Sequence, residues 1–119
     1  MRESIIGEKS MAFAIRIVKL YQYLSEEKRE YVISKQLLRS GTSIGANTRE
    51  SKNAQSKNDF ISKLNIALKE ADETEYWLEL LYRTDYLEEK EFNSIYKDNA
   101  ELIKILTSII KKLKSDNDI

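Results

Sequence analysis

Apolar residues recur at intervals of three and four along most of the chain, which is typical of amphipathic helices with one buried side. This spacing predicts four helices, at residues 8–24, 27–54, 57–84 and 89–114. Short polar connections make consecutive helices antiparallel neighbours. We therefore expect an all-α fold, an antiparallel up-down-up-down four-helix bundle, in which residues 1–119 form a single domain.

The first helix carries two adjacent apolar stripes instead of one. One stripe holds Phe13, Ile17, Leu20 and Leu24, and the other holds Met11, Ala14, Ile15, Val18 and Tyr21. A surface helix of a monomer usually needs only one such stripe. The second stripe therefore indicates either contact with another subunit or an unusually wide core face, and the pattern leaves both alternatives open.

The second helix contains two glycines, at which local propensity and apolar spacing disagree. Gly41 and Gly45 each cost about 1 kcal/mol relative to alanine in a helix interior. However, the apolar phase set by Ile33 and Leu37 continues at Ile44, on the far side of Gly41. We expect one continuous helix, whose glycine edge lets a neighbouring helix approach closely.

Two serines are candidate caps, because a side-chain oxygen at a helix start can accept a backbone N–H. Ser25 is expected to cap the second helix, while Ser56 and Asp59 resemble a capping box that opens the third. The fourth helix has the clearest apolar stripe of the a/d type, which is typical of bundles. We expect its tail, residues 115–119, to be frayed.

Several polar residues lie close to the buried side of the second helix: Ser40, Ser43 and Asn47, with Glu50 at the margin. Buried polar groups need hydrogen-bond partners. One hypothesis is a structural hydrogen-bond network across to the third helix, which would fix the packing register. The alternative is a ligand pocket.

The composition argues against catalysis and metal binding. The chain has no histidine and no cysteine, which removes the commonest general base, the commonest metal ligand and every thiolate. The densest acidic group spreads around most of its helix: Glu70, Asp72, Glu73, Glu75 and Glu79. We therefore predict no catalytic, cofactor-binding or metal-binding residues, and a protein that is not an enzyme.

The net charge is zero, but its distribution along the chain is uneven. Residues 1–60 carry 11 Lys/Arg against 7 Asp/Glu, and residues 61–119 carry 9 against 13. Spacing suggests two parallel cationic ridges on one side of the bundle, suited to phosphate backbones. The candidate nucleic-acid-binding residues are Arg16, Lys19, Lys28, Lys35, Arg39 and Arg49.

A second hypothesis explains the same charge distribution without nucleic acid. The basic half of one subunit could meet the acidic half of the next, or a partner protein, in a protein–protein scaffold. The apolar stretches are interrupted by charges such as Lys104, and the N-terminus lacks the apolar segment of a signal peptide. We expect no membrane association and a cytoplasmic location.

The segment from Tyr31 to Glu50 resembles the signature of the 23S rRNA intervening-sequence protein family of bacteria. The matching residues are Gln36, Leu37, Arg39, Ser40, Ser43, Ile44, Ala46, Asn47 and Glu50. A second patch is similar to the family at Phe60, residues 64–67, 70–71 and 75–78, and Phe13 to Val18 also fits. The resemblance covers nearly the whole chain.

This resemblance implies an antiparallel four-helix bundle that assembles into a ring-like homopentamer. The fold is shared with the accessory variability determinant of diversity-generating retroelements, a basic pentamer that binds nucleic acid and a reverse transcriptase. The expected partners are therefore further copies of the chain, with RNA, DNA or another protein as additional candidates.

Overall fold

A computed structural model describes residues 4–117, whose regular structure consists of four α-helices and no strand. The helices are α1 (Ile5–Glu26), α2 (Ile33–Ser51), α3 (Lys57–Arg83) and α4 (Glu89–Asn117). Consecutive helices pack side by side, and α4 closes the bundle against α1 in the least extensive of the four contacts. The predicted all-α fold with four helices is confirmed.

The start of α1 is set by Ser4, whose Oγ accepts the backbone N–H of Gly7 at 3.0 Å. This side-chain cap moves the helix start to Ile5, ahead of the predicted residue 8. The expectation that Ser25 caps the second helix is wrong. Ser25 lies inside α1, where its hydroxyl donates to the carbonyl of Tyr21 at 2.9 Å.

The second helix begins at Ile33 and not near residue 27 as predicted. Arg29 adopts a left-handed backbone conformation with φ of 54°, which interrupts helical geometry. The buried carboxylate of Glu30 then takes the place of a serine cap. It accepts the backbone N–H groups of Val32, Ile33 and Ser34 at 3.1, 2.9 and 2.6 Å.

The prediction that α2 runs unbroken through both glycines is confirmed. A Cβ placed on Gly41 would lie 2.8–3.0 Å from the side chain of Ile17 on α1. A Cβ on Gly45 would lie 3.4 Å from the carbonyl oxygen of Ser10. Gly41 therefore lets α1 approach α2 closely, which offsets its low helix propensity, whereas the space at Gly45 would admit a methyl group.

The remaining helix ends differ from the predictions by a few residues. Ser56 caps α3 as predicted, since its Oγ accepts the Asp59 N–H at 3.0 Å, but Asp59 itself accepts the N–H of Gln55 and not of Ser56. The second helix ends at Ser51, short of the predicted residue 54. The fourth continues to Asn117, beyond residue 114, and residues 118–119 of the predicted frayed tail lie outside the described part.

One apolar core runs through the bundle and is built by all four helices. Its completely buried members include Ile17 and Leu24 of α1, Leu37 and Ile44 of α2, and Leu78 and Leu81 of α3. Leu102 and Leu106 complete it from α4. Ile17, Leu24, Leu37 and Ile44 belong to the stripes that the sequence pattern identified, so the spacing predicted the inward side of α1 and α2.

Candidate functional site

Large apolar side chains remain exposed on the outer side of α1. Met11, Ile15 and Val18 are 44%, 51% and 39% exposed, and we call them the α1 apolar face. They belong to the second predicted stripe, whose other members, Ala14 and Tyr21, are half-buried. The wide-core alternative is therefore wrong for these three residues, because the bundle does not cover them.

A groove of about 420 Å³ separates α1 from α2 beside this face, and we call it the α1–α2 groove. Small side chains form much of its lining, including Gly7, Ala14, Thr42, Gly45 and Ala46. Met11 and the charged residues Arg49, Glu50 and Lys52 also line the groove, into which a protruding side chain or helix could pack.

The predicted hydrogen-bond network from α2 to α3 is confirmed at Ser40. The hydroxyl of Thr74 donates to Ser40 Oγ at 2.9 Å, and neither side chain has exposed surface. On the opposite side of α3, Asn99 Nδ2 of α4 donates to the carbonyl of Ala71 at 2.9 Å. Buried polar contacts of this kind tie α3 to both of its neighbours.

The other polar residues of the predicted network do not reach α3 in this way. Ser43 Oγ donates to the Arg39 carbonyl at 2.6 Å, and Asn47 Nδ2 donates to the Ser43 carbonyl at 2.9 Å, both within α2. Glu50 is exposed and forms an ion pair of 3.2 Å with Lys63 of α3. Ser43 and Asn47 are therefore satisfied within α2, and Glu50 reaches α3 only through an exposed ion pair.

Two of the six candidate cations form ion pairs with carboxylates, and the two sets of ion pairs lie on opposite sides of the bundle. Arg16 donates to Asp98 and Ser94 of α4, both at 2.7 Å. Arg39 forms ion pairs with Glu70 and Glu73 of α3. Because the α1–α4 and α2–α3 boundaries face away from each other, the predicted pair of parallel ridges on one side is wrong for these two arginines.

The other four candidates, Lys19, Lys28, Lys35 and Arg49, are exposed and form no ion pair with residues 4–117. They do not share one surface. Lys19 lines a groove between α1 and α4, whereas Arg49 lines the α1–α2 groove. Lys19 and Arg49 are therefore on different sides of the bundle, and Lys28 lies in the connection that precedes α2.

The acidic residues of α3 are engaged by separate partners. Trp77 Nε1 donates to Glu73 at 2.9 Å, and this bond, together with Arg39, lowers the pKa of Glu73. Tyr96 of α4 donates to Glu75 at 2.5 Å, which raises the pKa of the tyrosine. Within residues 4–117, no three carboxylates are grouped so that they could hold a metal ion.

Fold and surface together define a small all-helical bundle whose distinguishing features lie on its outside. The sequence profile of the 23S rRNA-intervening sequence protein family matches residues 2–108, and the chain belongs to that family. The resemblance seen at residues 31–50 is thereby confirmed.

A solved structure from Bacteroides thetaiotaomicron is similar over almost its full length. That protein, described as having unknown function and belonging to the S23 ribosomal protein family, is 61% identical to this chain. The match covers 90% of this chain and 99% of the other, with a TM-score of 0.89. No curated protein matches the chain. None of the helices within residues 4–117 is long and apolar enough to cross a membrane.

Proposed function

We propose that this protein is a non-catalytic assembly module that self-associates through the α1 apolar face and the α1–α2 groove. The observation that carries this proposal is the exposure of Met11, Ile15 and Val18 at helical spacing. Isolated exposed apolar residues are ordinary, but a contiguous row on one helix face is typical of a surface that contacts another protein.

The proposed occupant of this face is a second copy of the chain. Gly45 and Ala46 add little side-chain bulk to α2 along the groove, so a helix from a neighbouring copy can approach this part of the α2 backbone closely. Repeating one such contact around a rotation axis closes a ring. The ring-like homopentamer implied by the family resemblance is the form of assembly that we propose.

The assembly is tested by sizing the wild type and an Ile15→Lys/Val18→Lys variant by multi-angle light scattering. We expect the wild type to contain several subunits, five in the proposed ring, and the variant to be smaller because lysine replaces the apolar contact. Ile66→Lys on α3 is the matched control, since Ile66 is as exposed as Val18, at 39%. A monomeric wild type, or an assembly unaffected by the double substitution, would contradict the proposal.

Association of the assembly with RNA or DNA is the second candidate function. The family's link to 23S rRNA supports it, as do the unpaired cations Lys19, Lys28, Lys35 and Arg49. A partner protein remains the rival. This alternative was based on the charge difference between the two halves of the chain. Part of that difference is neutralised by ion pairs between helices, because Lys9 and Arg16 pair with α4 and Arg39 pairs with α3.

Fluorescence anisotropy of labelled structured RNA and duplex DNA, at two salt concentrations, separates these alternatives. Phosphate contacts weaken steeply with salt. If the predicted cations carry binding, Lys35→Glu/Arg49→Glu should reduce it without unfolding the chain, because both side chains are exposed and unpaired. Absence of binding at low salt would favour the protein-partner alternative.

A further inference from the structure

Four lysines lie at seven-residue intervals along α4: Lys90, Lys97, Lys104 and Lys111. Seven residues are close to two helical turns, so these side chains leave the helix in nearly the same direction. At a rise of about 1.5 Å per residue, successive lysines are about 10.5 Å apart and the whole set spans about 31 Å. All four are exposed, and we call them the lysine row.

None of the four lysines forms an ion pair with residues 4–117. Neutral residues separate them on the same side of the helix: Asn93, Ala100 and Thr107. The acidic residues of α4 closest to the middle of the row are directed to α1, where Asp98 pairs with Arg16 and Glu101 with Lys9. The row is therefore a line of four ammonium groups, none of which is held in an ion pair by a carboxylate of the described residues.

Helix stability alone does not account for this arrangement. Lysine in the last turn of a helix interacts favourably with the helix dipole, but Lys111 lies six residues before the end of α4 at Asn117, outside that turn. Lys90 is in the first turn of α4, where the same dipole disfavours a cation, and Lys97 and Lys104 are too far from either end to benefit.

We propose that the lysine row binds the sugar–phosphate backbone of a nucleic acid, without reading its sequence. This inference rests on the proposed association with RNA or DNA and moves its contact surface from α1 and α2 to α4. Lysine is a flexible point charge that replaces condensed counterions on phosphates. The length of the row, about 31 Å, is close to one turn of a duplex, about 34–36 Å, so its flexible side chains span a stretch in which both strands pass the row.

Other polyanions fit the row less well. Membrane-surface helices combine cations with a large apolar face that enters the lipid. The residues that separate the lysines, Asn93, Ala100 and Thr107, offer no such face. Protein–protein interfaces are depleted of lysine, because burying an ammonium group without a partner is costly. A polyanion whose charges stay hydrated, such as a nucleic acid backbone, avoids that cost.

The test measures how the affinity for a labelled 30-base-pair duplex DNA depends on salt. If all four lysines contact phosphates, the association constant should fall about 12-fold for each doubling of the salt concentration. The Lys97→Gln/Lys104→Gln variant should bind more weakly and lose only about 3.5-fold per doubling, since two contacts remain. Glutamine has nearly the same helix propensity as lysine, so circular dichroism should show an intact fold.

The matched control is Lys57→Gln/Lys69→Gln, which removes the same charge from two exposed lysines of α3. Its salt dependence should equal that of the wild type. If the control loses the salt dependence and the α4 variant keeps it, the lysine row is overturned while nucleic-acid association stands. If the wild type binds no duplex or RNA at low salt, both proposals fail. Loss of binding to phosphatidylserine-containing vesicles in the α4 variant, without any DNA binding, would reassign the row to membranes and overturn the inference.

Discussion

Glu30 performs a task that helix-start statistics assign to serine, threonine, asparagine or aspartate. The residue is 8% exposed, and its carboxylate satisfies three backbone N–H groups at the start of α2. Burial raises the pKa of Glu30, but the N–H donors of Ile33, Ser34 and Val32 together lower it by more, so it lies below the usual value of 4.5. The charged form is thus the one that stabilises the fold.

We expect the cap formed by Glu30 to make stability depend on pH in the acid range. Because the folded-state pKa is depressed, the stabilisation is present above pH 4.5 and is lost as the pH falls through the folded pKa. Glu30→Gln should lower the free energy of unfolding by about 1 kcal/mol at pH 7. This deficit should shrink toward pH 3 in urea denaturation, because the wild-type carboxylate then becomes neutral as well.

Glu27→Gln is the control for this experiment, since Glu27 is an exposed carboxylate in the same connection. It should leave stability nearly unchanged across the pH range. A deficit of Glu30→Gln that stays constant down to pH 3 would mean that the shape of the side chain, and not its charge, stabilises the start of α2.

The two glycines of α2 should respond oppositely to alanine, although both substitutions improve helix propensity by about 1 kcal/mol. At Gly41 the new methyl group would lie under 3 Å from the buried Ile17, and such overpacking costs about 1–3 kcal/mol. At Gly45 it would meet Ser10 at 3.4 Å, an ordinary contact. Thermal denaturation should therefore show Gly41→Ala less stable than the wild type and Gly45→Ala equally or more stable. Equal effects at both positions would contradict this account of how α1 packs on α2.

At the scale of helices, Ser40 and Thr74 join α2 to α3 by a buried hydrogen bond of 2.9 Å. A double-mutant cycle of Ser40→Ala and Thr74→Val should give a coupling energy of about 1 kcal/mol, measured by chemical denaturation. The matched cycle pairs Ser43→Ala with Thr74→Val. Since Ser43 donates to the carbonyl of Arg39 on its own helix, no coupling is expected. Comparable coupling in both cycles would show that the hydrogen bond is not its source.

Apolar spacing predicted the four helices and their buried sides, because burial of a repeating apolar stripe is what stabilises each helix in a bundle. It kept α2 continuous across Gly41, where propensity alone favours a loop. It missed the start of α2, because a buried glutamate acting through its side chain has no signature in apolar periodicity. Apolar spacing also did not predict where the side chains of Arg16 and Arg39 point, since each is held by a carboxylate on another helix. The lysine row, in contrast, was visible in the sequence as a seven-residue repeat of one residue type.

At the scale of the whole molecule, the order of the helices in the bundle brings the basic half of the chain against the acidic half. Closing α4 against α1 brings Lys9 to Glu101 and Arg16 to Asp98, and α2 beside α3 brings Arg39 to Glu73. Exposed ion pairs contribute little stability each, roughly 0–1 kcal/mol. Because of these ion pairs, fewer cations remain free at the surface. The α1 apolar face and the lysine row are then the two most distinctive features of the surface.

If the α1 apolar face is covered by another copy, assembly and folding are linked by mass action. Only folded chains assemble, so raising the protein concentration tenfold should stabilise each chain by on the order of 1 kcal/mol, or roughly 2–5 °C in Tm. We therefore expect the Tm of the wild type, measured by calorimetry, to rise with concentration. The Ile15→Lys/Val18→Lys variant should melt at one temperature throughout, while Ile66→Lys should behave as the wild type does. A wild-type Tm that is independent of concentration would show that the face is not buried by self-association.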